Sequence, residues 1–154
     1  MLEEKFNLKP IGVIHSPYKT PREAPYQGGL VENVCEVEVF PEFEKGLKDV
    51  EGCSHLILLY WLHRAERDKL IVYPPHNLKP HGVFATRSPH RPNPIGFCVV
   101  KLIERKGNVL KVKGLDAIDG TPLIDIKPFS PKLDFIPDAK IEWLEKAGKV
   151  KEKC

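Results

Sequence analysis

The segment "FATRSPHRPNPIG", residues 84–96, combines side chains that bind anions or nucleobases with a stiff backbone. Each of its three prolines fixes its own φ and disfavours the helical region for the residue before it, so Ser88, Arg91 and Asn93 are predicted to be extended. The guanidinium groups of Arg87 and Arg91 suit a carboxylate, a phosphate or a base edge. The segment is therefore predicted to be a rigid, non-helical binding loop; the alternative is a proline-rich surface turn with solvated arginines.

Three further motifs carry polar side chains beside predicted strand ends or turns. Asp119 in "DGTP" can accept hydrogen bonds from hydroxyl or ammonium groups, although an ordinary hairpin turn would have the same sequence. Gln27 in "YQGGL" can bind an adenine edge or the backbone of a glycine-rich turn. His63 and Arg64 follow an apolar run, where they are either site residues or a polar strand end that meets solvent.

Metal and nucleotide motifs are weak in this sequence. The spacing of His76, His81 and His90 matches no zinc pattern, so no metal site is predicted. Neither a G-x-G-x-x-G nor a G-x-x-x-x-G-K-[ST] motif is present. A nucleotide-like ligand would therefore need a geometry other than a Rossmann site or a P-loop.

Composition restricts the class of protein. The 154 residues fit one domain, and 24 Lys+Arg against 21 Asp+Glu allow no more than a local basic patch. The four cysteines form no C-x-x-C pair, which favours reduced thiols. The N-terminus lacks the apolar core of a secretory signal, and the apolar run at 56–62 is much shorter than the roughly twenty residues of a membrane helix. A soluble intracellular protein is predicted.

Strand patterns outnumber helix patterns along the chain. The run at 34–40 alternates apolar and acidic residues, as a half-buried strand does, and the apolar run at 55–62 predicts a central buried strand. The apolar stretch "GVFAT", residues 82–86, is interpreted as a strand that ends before Arg87. Three later strands are predicted to form a meander, with turns at "KGN" and Asp119-Gly120: 97–105, 108–119 and 123–129.

Helical patterns are few. Phe43, Leu47 and Val50 have helical spacing, and a C-terminal helix around Ile141 and Leu144 is expected to end near Gly148. A mostly antiparallel sheet with 15 prolines predicts a small closed or half-closed β-barrel with a few short helices.

The motifs "IGVIHSPYKTPREAPYQGGL", "FATRSPHRPNPIG" and "LDAIDGTPLIDIKPF" together resemble the TsaA-like family, also called TrmO, from about Ile11 to Pro131. The resemblance implies S-adenosylmethionine-dependent N6-methylation of threonylcarbamoyladenosine beside the tRNA anticodon. It also implies a single-sheeted antiparallel β-barrel, a cytoplasmic homodimer and a cofactor pocket near the subunit interface. Some members carry a further C-terminal domain, whose tRNA contacts are expected to be missing here or replaced by the tail at 146–154.

The resemblance also implies a domain layout and a cofactor site. The chain is expected to be one domain over 1–154, with a core at about 8–131 and a helical tail at about 138–154. The implied cofactor-binding residues lie in five segments: Pro25, Tyr26 and Gln27; His63 and Arg64; Arg87; Phe97; and Asp119, Gly120, Thr121 and Pro122.

Methyl transfer mainly requires alignment of the nucleophile with the methyl group, because the sulfonium is already an activated leaving group. An acceptor on the adenine N6 hydrogen would help, and Asn93 is the candidate; it could instead only brace the loop. Arg87 is predicted to face the cofactor, whereas Arg91 is predicted to face the RNA and pair with the substrate carboxylate.

Two other function classes stay open from the sequence. A non-catalytic RNA-binding module would display the same arginines and aromatic residues without a small-molecule pocket. A metal-dependent hydrolase would use the histidines and carboxylates. Cofactor binding and metal analysis, respectively, discriminate these classes from the methyltransferase.

Overall fold

A computed structural model describes residues 5–25, 32–75 and 79–147. The strands are β1 Gly12–His15, β2 Val34–Val39, β3 His55–Trp61, β4 Ile71–Val72, β5 His81–Gly82, β6 Ile95–Lys106, β7 Val109–Lys113 and β8 Thr121–Pro128. Six of them form a closed antiparallel barrel in the order β1-β2-β7-β6-β3-β8, and the two short strands β4 and β5 pair separately. The mainly β fold and its barrel are confirmed.

Alternating burial builds the barrel core as the sequence predicts. In β2, Cys35, Val37 and Val39 are buried inside the barrel, while Glu36 lies on the outer face. The predicted central strand is also confirmed, because β3 pairs with β6 on one side and β8 on the other.

The predicted three-stranded meander is wrong in its last member. The hairpin of β6 and β7 forms around the predicted turn, but β8 pairs with β1 and β3 instead of β7. The predicted strand at 108–119 is too long, since β7 ends at Lys113 and the following chain buries Leu115 and Ala117. Strand β1, which the sequence analysis did not assign, closes the barrel by pairing with β2 and β8.

Local turns replace two other predicted elements. The helix predicted from Phe43, Leu47 and Val50 is a pair of 3-10 helices, Pro41–Leu47 and Val50–Gly52. The strand predicted at "GVFAT" is also wrong: the chain leaves β5 into a 3-10 turn, Val83–Ala85. In this turn Val83 is buried, whereas Phe84 is 76% exposed.

Two short α-helices follow the barrel. Helix α1 spans Pro131–Asp134 and helix α2 spans Glu142–Ala147. The C-terminal helix is thus confirmed over α2, whereas its predicted end near Gly148 lies outside the described residues.

Strand register brings three connections to one end of the barrel. Tyr60 lies opposite Leu123, Trp61 lies opposite Ile95, and Ile14 lies opposite Thr121. The connections after β1, β3 and β7 therefore meet at this end, which we call the loop end. Its described residues are 16–25, 32–33, 62–75, 79–94 and 114–120, and these contain every described candidate site residue except Phe97, Thr121 and Pro122, which lie on adjoining strands.

Gly96 lies so close to the ring of Tyr60 inside the barrel that a side chain at this position would not fit. A Cβ atom at Gly96 would lie 2.2 Å from the ring of Tyr60, which is 2% exposed. We expect Gly96→Ala to lower the free energy of unfolding by about 1–3 kcal/mol, because an overpacked core must shift its side chains. Thermal unfolding measures this, with Gly46→Ala as the control, since a Cβ at Gly46 meets nothing within 4 Å. Equal melting temperatures for both variants would contradict this packing.

Candidate functional site

The turn at Asp119 is anchored to the chain that leaves β1. One Asp119 carboxylate oxygen accepts a hydrogen bond from the Ser16 amide at 3.0 Å, and the other pairs with Lys19 Nζ at 2.9 Å. The pKa of Asp119 is lowered, chiefly by the hydrogen bond from Lys19 and to a smaller extent by the hydrogen bond from the Ser16 amide. Gly120 has a φ of 83° and donates its amide to the Ile14 carbonyl at 2.8 Å, a left-handed conformation that suits glycine.

Thr121 and Pro122 shape this turn. The Thr121 hydroxyl is buried and donates to the Ile118 carbonyl at 2.7 Å. Pro122 lies opposite Val13 in the pairing of β1 with β8. Of these predicted cofactor residues, Asp119 therefore contributes a half-buried carboxylate, whereas the Thr121 hydroxyl is used within the turn.

The Asp119–Lys19 pair has a testable effect on acid stability. A lowered folded-state pKa stabilises the protein above the unfolded Asp value of about 4, and this contribution is lost as the pH falls through the folded value. Asp119→Asn keeps an acceptor for the Ser16 amide but loses the charge, so we expect a loss of about 1 kcal/mol or less at neutral pH. Melting temperatures of the variant and wild type should begin to converge at about pH 4 and should meet below the lowered pKa of Asp119.

The control for this experiment is Asp138→Asn, which removes an exposed carboxylate away from the turn. It should follow the wild type across the pH range. A constant difference between Asp119→Asn and wild type at all pH values would contradict the assigned role of the charge.

Residues 84–94, which we call the arginine-proline loop, are braced from within by Arg91. Its Nη1 donates to the carbonyls of Thr86 at 2.9 Å and Ser88 at 3.1 Å. These two carbonyls flank Arg87 in sequence, so Arg91 fixes the backbone from which the Arg87 side chain projects. This nitrogen of Arg91 is engaged within the loop, although the sequence analysis assigned Arg91 to the RNA.

Arg87 and Phe97 come together on the outside of the barrel. The Arg87 guanidinium carbon lies 5.1 Å from the centroid of the Phe97 ring, within the range of a cation–π contact. Phe97 belongs to β6 and is 38% exposed, with its neighbour Cys98 facing the barrel interior. Two residues that the resemblance assigns to the cofactor therefore form one cationic and aromatic surface.

The connection after β3 is held against the arginine-proline loop. His63 and Arg64 are exposed in the turn that follows β3. Three contacts join this connection to the loop: Leu62 N to Pro94 O at 2.8 Å, Arg67 Nε to Pro92 O at 2.9 Å, and Glu66 N to His90 Nδ1 at 3.0 Å. The position of the exposed His63-Arg64 pair is thereby coupled to that of the loop.

The other predicted residues have simpler placements. Asn93 is exposed, and its carbonyl accepts from the Ile95 amide at 2.7 Å where β6 begins. Pro25 is partly exposed at the edge of the described chain. Tyr26 and Gln27 lie outside the described residues.

Sequence reasoning missed the residues that hold these loops in place. Ser16 and Lys19 position Asp119. Arg67 holds the arginine-proline loop through Pro92, and the guanidinium carbon of Arg67 lies 5.0 Å from the centroid of the Trp61 ring. The polar run "HSPYK" directly after an apolar strand was the available signal for Ser16 and Lys19. No local pattern marks Arg67, because Pro92, which accepts its hydrogen bond, is 25 residues away.

The histidines considered for a metal take different positions. His81 stacks on Trp143 with ring centroids 4.4 Å apart, and His90 accepts a backbone hydrogen bond, while His76 falls outside the described chain. Within residues 5–25, 32–75 and 79–147, no group of three or more His, Cys, Asp or Glu side chains could hold a metal ion. Over the same ranges, every helix is too short or too polar to cross a membrane.

The closed antiparallel barrel, with aromatic and charged connections gathered at one end, defines a small β-barrel domain whose loop end is the candidate site. The tRNA-methyltransferase O N-terminal domain family matches residues 13–135 of this chain. The chain belongs to this family, and the resemblance read from its motifs is confirmed.

Individual relatives agree with this assignment. A "Probable S-adenosyl-L-methionine-binding protein" of Archaeoglobus fulgidus is 64% identical over 92% of this chain and 38% of its own length. The tRNA (adenine(37)-N6)-methyltransferase of Escherichia coli is 38% identical over 92% of this chain and 65% of its own length. A crystal structure of TrmO from Pseudomonas aeruginosa matches with a TM-score of 0.74 and 34% identity, over 90% of this chain and 62% of that one. This chain thus spans less than two thirds of each of these proteins.

Proposed function

We propose that this protein is an S-adenosylmethionine-dependent tRNA methyltransferase that methylates N6 of an adenosine beside the anticodon. The observation that carries the proposal is the match to the methyltransferase family across residues 13–135, which includes the arginine-proline loop and the Asp119 turn. We further propose that the accepted nucleoside is threonylcarbamoyladenosine.

The groups at the loop end fit the cofactor chemically. S-adenosylmethionine has a carboxylate, an ammonium group, a ribose diol and an adenine ring, and when bound it supplies a methyl group on an activated sulfonium. Arg87 offers a planar cation for a carboxylate, and Asp119 offers an acceptor for hydroxyl or ammonium groups. Phe97 adds an apolar face beside Arg87. The set therefore contains a partner for the carboxylate and a partner for the ammonium group of the cofactor.

The protein's own residues then orient and shield the reacting groups. Arg91 keeps the loop carbonyls on either side of Arg87 fixed, which holds the Arg87 guanidinium over Phe97. Asn93 follows on the same braced loop, and its side-chain oxygen is the proposed acceptor for the N6 hydrogen of the substrate. Alignment of this kind contributes several kcal/mol to a transfer reaction.

The substrate carboxylate explains the second arginine. Threonylcarbamoyladenosine carries a free carboxylate close to N6, and burying it partly is costly unless a cation pairs with it. Arg91 engages the loop through Nη1, and a guanidinium has further N–H donors on Nη2 and Nε. We assign the substrate carboxylate to these donors.

We also propose a cytoplasmic homodimer built from a single domain over 1–154, with its core at about 8–131 and its tail at about 138–154. The outer face of β6 supports a self-association surface, because Ile95, Phe97 and Ile103 are 39%, 38% and 45% exposed. Exposed apolar faces of this kind mark interaction surfaces. Sedimentation of the purified protein tests the dimer.

Transfer of a labelled methyl group from S-adenosylmethionine to tRNA tests the proposed activity, with and without EDTA. We expect transfer in both conditions, because the sulfonium is electrophilic without a Lewis acid. Binding of tRNA without cofactor binding or transfer would favour an RNA-binding module. Activity that disappears in EDTA and returns with one divalent metal would favour metal-dependent chemistry.

A further inference from the structure

A cavity of about 670 Å³ adjoins the arginine-proline loop. Three segments of the chain form its walls: 72–75 after β4, 84–90 in the loop, and 140–144 at the start of α2. Its volume lies within the usual range of ligand pockets, about 300–1,000 Å³. We call it the aromatic pocket.

The walls of the aromatic pocket are fixed to one another. Trp143 Nε1 donates to the Ala85 carbonyl at 2.9 Å, and the Trp143 ring stacks on His81 at 4.4 Å between centroids. The Val83 amide donates to the Leu70 carbonyl at 2.8 Å, which ties the loop to the sheet of β4 and β5. Segments distant in sequence therefore meet in a defined arrangement.

The lining has the chemistry of a nucleotide site. Tyr73 and Phe84 line the pocket and are 66% and 76% exposed, so their rings are available for stacking. Arg87, His90 and Lys140 also line it, whereas Glu142, the acidic residue within 140–144, is not among the described lining residues and pairs with Lys146 at 2.9 Å. Aromatic rings stack with unpaired bases, while cations bind the phosphates between them.

We propose that the aromatic pocket binds one unpaired nucleotide of the RNA substrate, with its base on Tyr73 or Phe84 and its phosphate facing Lys140. This inference rests on the proposed function and extends it with an RNA-binding subsite. Arg87 lines the pocket and also contacts Phe97, so the subsite adjoins the proposed cofactor surface. An unpaired loop nucleotide reaches such a pocket without the cost of opening a base pair.

Fluorescence anisotropy with a labelled anticodon stem-loop RNA tests the pocket in the full chain. We expect Phe84→Ala and Tyr73→Ala to weaken RNA binding, by about tenfold for the ring that carries the base. Phe135→Ala is the matched control, since Phe135 is 65% exposed and does not line the pocket. It should leave the RNA affinity unchanged. Lys140→Ala should reduce the slope of log RNA affinity against log salt concentration by the amount that corresponds to about one phosphate contact.

A parallel titration with S-adenosylmethionine separates this proposal from the proposed function. Tyr73→Ala and Phe84→Ala should bind the cofactor as tightly as wild type. If wild type binds cofactor and RNA but both variants keep wild-type RNA affinity, the pocket assignment is overturned and the proposed function stands. If the variants change only the oligomeric state, the pocket is occupied by a second copy and the assignment is likewise overturned. If wild type binds neither ligand, both proposals fail.

Discussion

S-adenosylmethionine at one hundred times its Kd is expected to stabilise the folded protein by about 2.7 kcal/mol. For a chain of this size, that corresponds to a rise in melting temperature of about 5–10 °C. The reason is linkage: a ligand that binds the ordered loop end binds only the folded state. No shift at millimolar cofactor would contradict the proposed cofactor.

Arg87→Ala should remove most of this shift while leaving the melting temperature without ligand nearly unchanged. The Arg87 side chain is exposed and contacts Phe97, so its loss removes a ligand contact but no core packing. Lys101→Ala is the control, because Lys101 is an exposed cation further along the same strand as Phe97, opposite His55. An equal cofactor-induced shift in Arg87→Ala and Lys101→Ala would contradict the role of Arg87.

The second large effect concerns the substrate. The kcat/KM for a tRNA that carries threonylcarbamoyladenosine should be at least roughly thirtyfold higher than that for the same transcript with plain adenosine. This ratio corresponds to about 2 kcal/mol of transition-state stabilisation. The physical reason is the charge-assisted contact between the threonyl carboxylate and Arg91. Steady-state methylation of the two RNAs, prepared with the same sequence, measures the difference. Equal kcat/KM values would show that the carboxylate contributes nothing.

Arg91→Ala separates this contact from the bracing of the loop. The hydrogen bonds from Arg91 to Thr86 and Ser88 predict that the variant loosens the loop and slows both RNAs alike. Loss of the carboxylate partner slows only the modified RNA, so the ratio between the substrates should fall toward one. A lower activity with an unchanged ratio would leave Arg91 as a bracing residue alone.

Local sequence patterns predicted the strands in which buried and exposed side chains follow a regular order. Alternation was sufficient for β2, where every second side chain is buried, and an uninterrupted apolar run was sufficient for β3. The turn at Asp119-Gly120 followed from its residue types. These features depend on a few adjacent residues, which is why a single sequence predicts them.

Strand pairings and contacts between residues far apart in sequence could not be predicted in this way. Strand β8 carries the same alternation whether it pairs with β7 or with β3, and only closure of the barrel decides between them. The contact of Trp143 with Ala85 likewise joins residues 58 positions apart. Arg91 was recognised as a cation of the loop, but its use of loop carbonyls depends on a backbone path that proline restrictions only partly define.

Nucleoside analysis of bulk tRNA after incubation with the protein and labelled S-adenosylmethionine tests the central claim most directly. Digestion to nucleosides should place the label in one species, threonylcarbamoyladenosine with one added methyl group on N6. Label in a different nucleoside would contradict the proposed substrate. The absence of label from tRNA, in a preparation that binds the cofactor, would contradict the proposed activity.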